Sequence, residues 1–313
     1  MADAGPAIEV KGLRKSFGST VVLDGIDFTV ARGAVFSLLG PNGAGKTTAI
    51  NILTTLLRAD GGVAKVNGVD VAKHEAEVRE SISLTGQFAA VDPLLSGREN
   101  LVLIGALRHV KNPARTAGSL LRQFGLTDAA DRRTLTYSGG MRRKLDIALG
   151  LVGDPAIIFL DEPTNGLDPE SRNMMWDKIK SLANAGKTIF LTTQYLDEAD
   201  RLADKIAILS HGRIAAEGTP QALKSVLPHG QIELHFGDAT QLAKAAQVLA
   251  DRQPSRREGA LALSISTDGS VAQVNRLFSL LETAQVAVAE FEQKSPTLDD
   301  AFLQIINDRK GEA

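Results

Sequence analysis

The sequence predicts an α/β fold of two domains, the second much the smaller, and three observations carry that reading. Two apolar runs, Ala34-Val35-Phe36-Ser37-Leu38-Leu39 and Pro155-Ala156-Ile157-Ile158-Phe159-Leu160, read as buried parallel strands that each feed a loop and then a helix. A Gly-rich loop, Gly40-Pro41-Asn42-Gly43-Ala44-Gly45-Lys46-Thr47-Thr48, joins the first run to apolar residues at helical spacing from Lys46 to Leu57. Near Leu227-Pro228-His229-Gly230 the composition shifts, and strands and helices alternate afresh beyond it. The expected domains are therefore 1–226 and 227–313, within the prior of about two domains for this length.

The elements follow in order. Ile8-Glu9-Val10, Val21-Val22-Leu23 and Phe28-Thr29-Val30 cluster β-formers between turn residues, so residues 8–39 are expected to be β-rich. The first helix is expected to end at Gly61-Gly62, and a short strand to run on to the Asn67-Gly68 turn. Gly97 to Gly125 reads as helical with a break at Asn112-Pro113, within a helical subdomain of about 89–152. After the second apolar strand, Pro169 opens a helix to Ala183 and Lys187 to Thr193 is a strand. Lys205–Leu209 and Arg213–Ala216 form a hairpin through Ser210-His211-Gly212. The second domain reads βαβαβα: strands at 232–236, 261–265 and 286–291, helices at 242–249, 271–281 and 297–306.

Chemistry concentrates in three places. In a strand–loop–helix setting, G-x-x-x-x-G-K-T is a phosphate cradle: glycines let backbone N–H groups converge on phosphate oxygens, and the helix N-terminus adds unpaired donors. Lys46 then reaches the β- and γ-phosphates of a nucleoside triphosphate, and the Thr47 hydroxyl suits Mg²⁺. Asp161 and Glu162 sit where an apolar strand ends, the place at which α/β sheets bind ligands. Adjacent carboxylates there are best explained by a cation: Asp161 as a Mg²⁺ ligand, Glu162 as the residue that takes a proton from, or orients, an attacking water. The third place is Tyr137-Ser138-Gly139-Gly140-Met141, where Ser138 reads as an N-cap. Arg142, Arg143 and Lys144 follow in the first helical turn, against the helix dipole. Either an anion neutralises them or they form a solvated basic face.

Composition excludes several classes. A net charge of −2 gives no overall pull toward nucleic acid. The chain has no cysteine, hence no disulfide or thiolate metal site, and its five histidines show no ligand spacing. Met1–Val10 lacks a secretory pattern, and no apolar run approaches the roughly 20 residues of a membrane helix, so a soluble chain is expected.

Taken together, these motifs resemble the nucleotide-binding subunit of ATP-binding cassette (ABC) transporters over roughly residues 5–226. The phosphate loop, Ser138-Gly139-Gly140, Leu160-Asp161-Glu162-Pro163 and Gly166-Leu167-Asp168-Pro169 keep that family's order and spacing. Within it, several stretches look like the daunorubicin-resistance type of drug-efflux ATPase: Gly86-Gln87, Ala89-Ala90-Val91-Asp92, Ser96 to Leu101, Thr192-Thr193-Gln194-Tyr195 and Ser295 to Phe302. The resemblance implies a P-loop NTPase fold with a β-rich N-terminal subdomain, a helical signature subdomain and a small C-terminal α/β domain for dimerisation or regulation. It implies Gln87 as a glutamine touching Mg²⁺ and water, Phe17 as the aromatic stacked on adenine, and Asp168 as the aspartate of the loop after the acid pair. Ser138 and Gly140, with Gly139 between them, would meet the γ-phosphate held by a second subunit, so ATP binding implies a homodimer. A separate transmembrane permease would contact Ala89 to Leu101, holding the chain on the cytoplasmic face of the membrane.

Three positions depart from the family's usual pattern. Tyr137 and Met141 stand where leucine and glutamine are usual, and Gln194 where most relatives carry a histidine. A glutamine amide can donate a hydrogen bond to phosphate but cannot carry a proton. The expected activity is Mg²⁺-dependent ATP hydrolysis driving efflux of a drug-like or hydrophobic compound. The alternatives are an ATP-gated binding switch with little turnover and a non-transport ABC ATPase.

Overall fold

Buried and exposed residues alternate along β1 (Ile8–Phe17) and β2 (Thr20–Val30), as a sheet with one wet face requires, and the two strands pair antiparallel. β3 (Val35–Leu39) is buried throughout and runs into α1 (Lys46–Leu53). β4 (Gly61–Val66) and β5 (Val69–Asp70) complete an antiparallel sheet of order β2-β1-β4-β5. Then come α2 (Glu75–Ser81), β6 (Ile82–Thr85), α3 (Gly97–Leu107), α4 (Pro113–Gln123), α5 (Gly139–Gly150), β7 (Ile157–Asp161), α6 (Pro169–Asn184), β8 (Thr188–Thr193), α7 (Leu196–Leu202), β9 (Lys205–Ser210) and β10 (Arg213–Gly218). The computed structural model describes residues 5–86, 90–225, 230–256, 260–267, 270–294 and 297–310. They divide into two units, Met1–Pro220 and Gln221–Ala313.

The first unit is organised by a six-stranded sheet of order β10-β9-β3-β8-β7-β6, parallel except for the edge strand β10. Both faces are covered, which explains the continuous apolar runs. Phe36, Phe190 and Phe159 occupy one rung of the ladder and, with Phe28 of β2, form a ring cluster with centroids 5.2–5.8 Å apart. Each fully buried ring contributes on the order of 1.5–3 kcal/mol. The opposite face presents Val35, Ile158, Leu160, Ile189 and Leu191 to Leu145, Trp176 and Ile179 from α5 and α6.

Helix starts obey their caps. Ser96 and Glu99 form a reciprocal capping box on α3, Asn112 accepts from Arg115 N–H ahead of Pro113, and Asp168 accepts from Ser171 N–H ahead of Pro169. The first helix, however, stops at Leu53 rather than at Leu57 or Gly61. The Thr54 hydroxyl donates to Ile50 O at 2.8 Å, Thr55 turns left-handed (φ 66°), and the N–H groups of Leu56 and Leu57 both return to Asn51 O. Gly61 and Gly62 open β4 instead of capping a helix.

α8 (Pro220–Lys224) starts at the last residue of the first unit; the second unit continues with β11 (Gly230–His235), α9 (Ala239–Val248), β12 (Ser255–Arg256), β13 (Ala262–Thr267), α10 (Val271–Thr283), β14 (Glu290–Lys294) and α11 (Leu298–Lys310). β11 lies between β13 and β14 and is antiparallel to both, so the β13-α10-β14 crossover is split by an intervening strand. β14 begins at Glu290 rather than Val286; Val286 and Val288 pack into the unit's core ahead of the strand.

Candidate functional site

Three neighbouring strands, β3, β8 and β7, deliver their C-terminal ends to one cleft of about 410 Å³. Asn42, Gly43, Gly45, Lys46, Thr47, Thr48, Glu162 and Gln194 line it, joined by Val22 and Asn165. Gly45 holds φ 107°, and a Cβ there would come 2.8 Å from Leu23 Cδ2 and 2.9 Å from Val22 O. A Cβ at Gly40 would overlap Leu209 O. Only glycine fits at either position. Lys46 is buried, donating to Gly40 O at 2.7 Å and Pro41 O at 3.0 Å, with Glu162 Oε1 3.6 Å away. Burial pushes its pKa down, while the Glu162 and Asp161 carboxylates pull it back up. Ala44 packs into the core beneath the loop.

Asp161 is buried at the end of β7. Thr47 Oγ1 donates to its Oδ2 at 3.0 Å, and Thr192 Oγ1 donates to its Oδ1 at 2.5 Å. Thr47 and Asp161 thus place a hydroxyl and a carboxylate side by side, a hard-oxygen pair suited to Mg²⁺, which is usually bound by one or two carboxylates plus phosphate oxygens. Glu162 adopts φ 46°, uncommon for a residue with a side chain. Its N–H is shared between Thr192 O (3.1 Å) and Thr192 Oγ1 (3.2 Å), and its Oε2 accepts from Asn165 Nδ2 at 3.1 Å.

Other expected residues lie elsewhere. Phe17, at the end of β1, is half-exposed beneath the Lys15 ammonium and is not among the residues lining the cleft. Ser138 caps α5 by accepting from Met141 N–H at 3.2 Å; it and Gly139 are exposed, and Gly140 packs against Ser171, outside the cleft. Asp168 caps α6, and the Ser171 N–H holds its carboxyl below the usual range. Gln87 lies outside the described residues. Tyr137 is buried, and its hydroxyl donates to Ala129 O at 2.6 Å.

The basic turn after the signature corrects both earlier readings at one residue. Arg143 is neither solvated nor waiting for an external anion: it is largely covered, lies 3.2 Å from the buried Asp146 and gives its other donors to main-chain carbonyls. The i,i+3 spacing of Arg143 and Asp146 was the signal for this pair. Thr192 and Asn165 were also missed as site residues; β8 carries three threonines, Thr188, Thr192 and Thr193, and nothing in its sequence singles out Thr192. Glu198 of α7 is wholly buried, accepting from Thr164 Oγ1 (2.7 Å) and Trp176 Nε1 (3.0 Å), and burial pushes its pKa up.

Comparison with known proteins agrees with this geometry. Residues 23–165 match the family described as ABC transporter. A daunorubicin/doxorubicin resistance ATP-binding protein DrrA from Streptomyces peucetius is 47% identical over 304 residues, covering 96% of this chain and 92% of that protein. The chain belongs to the ABC transporter ATP-binding family. A Nod factor export ATP-binding protein I from Ralstonia nicotianae is 35% identical over 305 residues, covering 96% and 94%. The solved structure of a nucleotide-free ATP-binding cassette from an ABC transporter superposes with a TM-score of 0.64 at 28% identity, covering 72% of this chain and 96% of that one. The fold is that of an ABC ATPase, and the chain is an ATP-binding, ATP-hydrolysing subunit.

Proposed function

We propose that the chain powers export of a drug-like or hydrophobic compound through a separate membrane permease, by hydrolysing MgATP in the cleft between β3 and β7. The observation that carries this is the convergence of Lys46, Thr47, Glu162 and Gln194 on one cleft, with Asp161 bonded to Thr47 at its floor. The phosphate loop and Lys46 would hold the triphosphate; Thr47 and Asp161 would hold Mg²⁺, and the family resemblance gives Gln87 a role toward the same ion. When bound, Mg²⁺ neutralises charge that develops on the phosphate oxygens. Glu162, braced by Asn165, accepts a proton from the attacking water. Gln194 donates an amide hydrogen bond to the γ-phosphate, and Phe17 stacks on adenine. Ser138, Gly139 and Gly140, with Asp168, serve the ATP of a second copy, so the working unit is a homodimer.

Other observations support a permease partner. Among the described residues no helix is long and apolar enough to cross a membrane. The helical subdomain leaves Leu94, Leu103, Leu107 and Leu135 exposed, and Leu94 belongs to the segment expected to face the membrane subunit on the cytoplasmic side. Relatives named for daunorubicin/doxorubicin resistance and for Nod factor export support the exporter reading. We assign no nucleic-acid partner, and give the C-terminal unit a part in dimerisation or regulation.

The test is steady-state ATP hydrolysis by wild type, Glu162→Gln and Gln194→His. A fall of about 10²–10⁴-fold in Glu162→Gln, typical for loss of a general base, supports the motor reading. If wild type matches Glu162→Gln and only Gln194→His turns over, the chain is an ATP-gated switch.

A further inference from the structure

One largely buried cation, Arg143, reaches five acceptors around the site's scaffold. Arg143 Nε donates to Pro163 O at 2.9 Å, and Nη2 donates to Asp161 O at 3.1 Å and Glu162 O at 3.3 Å. Nη1 donates to Gly86 O at 2.7 Å and to Asp146 Oδ2 at 3.2 Å. Carbonyls of successive residues point to opposite sides in a regular strand, so three in a row turned toward one guanidinium require the strand to be broken there. The break is at Glu162, whose φ of 46° lies in the left-handed region. Asp146 Oδ1 in turn accepts the Ala90 N–H at 2.9 Å, so the pair grips both Gly86 and Ala90. Both side chains belong to α5, the helix that starts at the Ser138-Gly139-Gly140 signature.

We propose that Arg143, braced by Asp146, is a positioning residue: it holds the Glu162 backbone in its left-handed conformation and ties it to the signature helix. This rests on Glu162 being the base for ATP hydrolysis. It goes further by giving the α5 helix a direct grip on that base. If Ser138 and Gly140 meet ATP held by a second copy, a shift of α5 is felt at once by this chain's own Glu162. A lysine cannot replace the guanidinium, because its three donors sit on one nitrogen, whereas Arg143 reaches five acceptors from three nitrogens set in a planar fork.

The experiment is a kinetic double-mutant cycle on the full chain, with Arg143→Lys in wild-type and Glu162→Gln backgrounds. Steady-state kcat and KM for ATP, equilibrium affinity for a slowly hydrolysed ATP analogue and the melting temperature are all measured. Acting through Glu162, Arg143→Lys lowers kcat by about tenfold or more, leaves KM and analogue affinity within about threefold, and costs little further once Glu162 is Gln. Equal rate losses in both backgrounds, or an unchanged kcat with only a lower melting temperature, overturn the proposal. Asp146→Asn, which keeps shape and the acceptor for Ala90, runs through the same cycle if Arg143→Lys fails to fold; the same non-additive pattern is expected at a few-fold. Wild-type turnover separates the two claims. If wild type hydrolyses ATP and the losses are additive, only the positioning role falls; if wild type is no faster than Glu162→Gln, both fall.

Discussion

Gly97→Ala is expected to destabilise the wild-type protein and to be harmless once Tyr137 has lost its hydroxyl. Gly97 opens α3, and a Cβ built there would lie 2.5 Å from Tyr137 Oη, too close for the hydroxyl to stay. Tyr137 is 3% exposed and donates to Ala129 O at 2.6 Å, so displacing it breaks a buried hydrogen bond and leaves the Tyr137 hydroxyl without its acceptor, while Ala129 O keeps the Arg132 N–H. That cost is about 1–3 kcal/mol. Against it stands the helix-propensity gain of alanine over glycine, at most about 1 kcal/mol and smaller at a first-turn position. The net expectation is a loss of about 1–2 kcal/mol. In a Tyr137→Phe background the obstructing oxygen is absent and the nearest ring carbon sits 3.4 Å from the new methyl, so Gly97→Ala becomes neutral or mildly stabilising. The coupling energy is therefore about 1–3 kcal/mol. Urea unfolding followed through Trp176, the chain's single tryptophan and a member of the same core cluster as Tyr137, reads this unit directly. Equal losses in both backgrounds, or stabilisation of wild type, would refute the contact.

Two further outcomes follow from buried polar groups. Burial raises the Glu198 pKa in the folded chain, so its contribution is fully present below the unfolded value of about 4.3 and is lost as pH rises through the raised folded value. Glu198→Gln keeps an acceptor for Thr164 and Trp176 without a charge; its melting temperature should gain on wild type as pH climbs from 4 to 8, and a constant gap would contradict the assignment. Thr192→Val removes the hydroxyl that donates to Asp161 and accepts from Glu162 N–H while keeping a β-branched shape. Mg²⁺-dependent tightening of ATP binding and kcat should both drop several-fold, with Thr192→Ser restoring them; a titration of ATP with and without Mg²⁺ decides this.

The phosphate loop, the acid pair and most element boundaries of the first unit were legible because they are local: a strand, a turn that needs glycine, a cap three residues ahead of its N–H. Pro169 and Asp168 fixed the start of α6 within the sequence itself. Short elements lacking such marks, α2, β6 and α7, were not. The end of α1 was hidden because Thr54 and Thr55 leave the helix through hydroxyl and left-handed geometry, which hydrophobic spacing does not record. Arg143 read as either anion-neutralised or solvated because helical spacing says which residues are neighbours, not which face is buried. Its acceptors on Gly86, Asp161, Glu162 and Pro163 are brought to it only by the tertiary fold.

The order of strands around the cleft has a consequence for folding. β3 ends at Leu39, whereas its functional neighbours β7 and β8 begin at Ile157 and Thr188, so the cleft is assembled from distant parts of the chain. Non-local parallel pairing is slow, because loop closure is met before the contacts reward it. A partly folded chain can display its glycine-rich loop, yet it has no pocket until the middle of the sheet has closed. Nucleotide then recognises only the finished molecule, and ATP at a hundred times its dissociation constant would add about 2.7 kcal/mol to the stability of that state. The fuel of the transport cycle would also serve as a chaperone for the subunit that burns it.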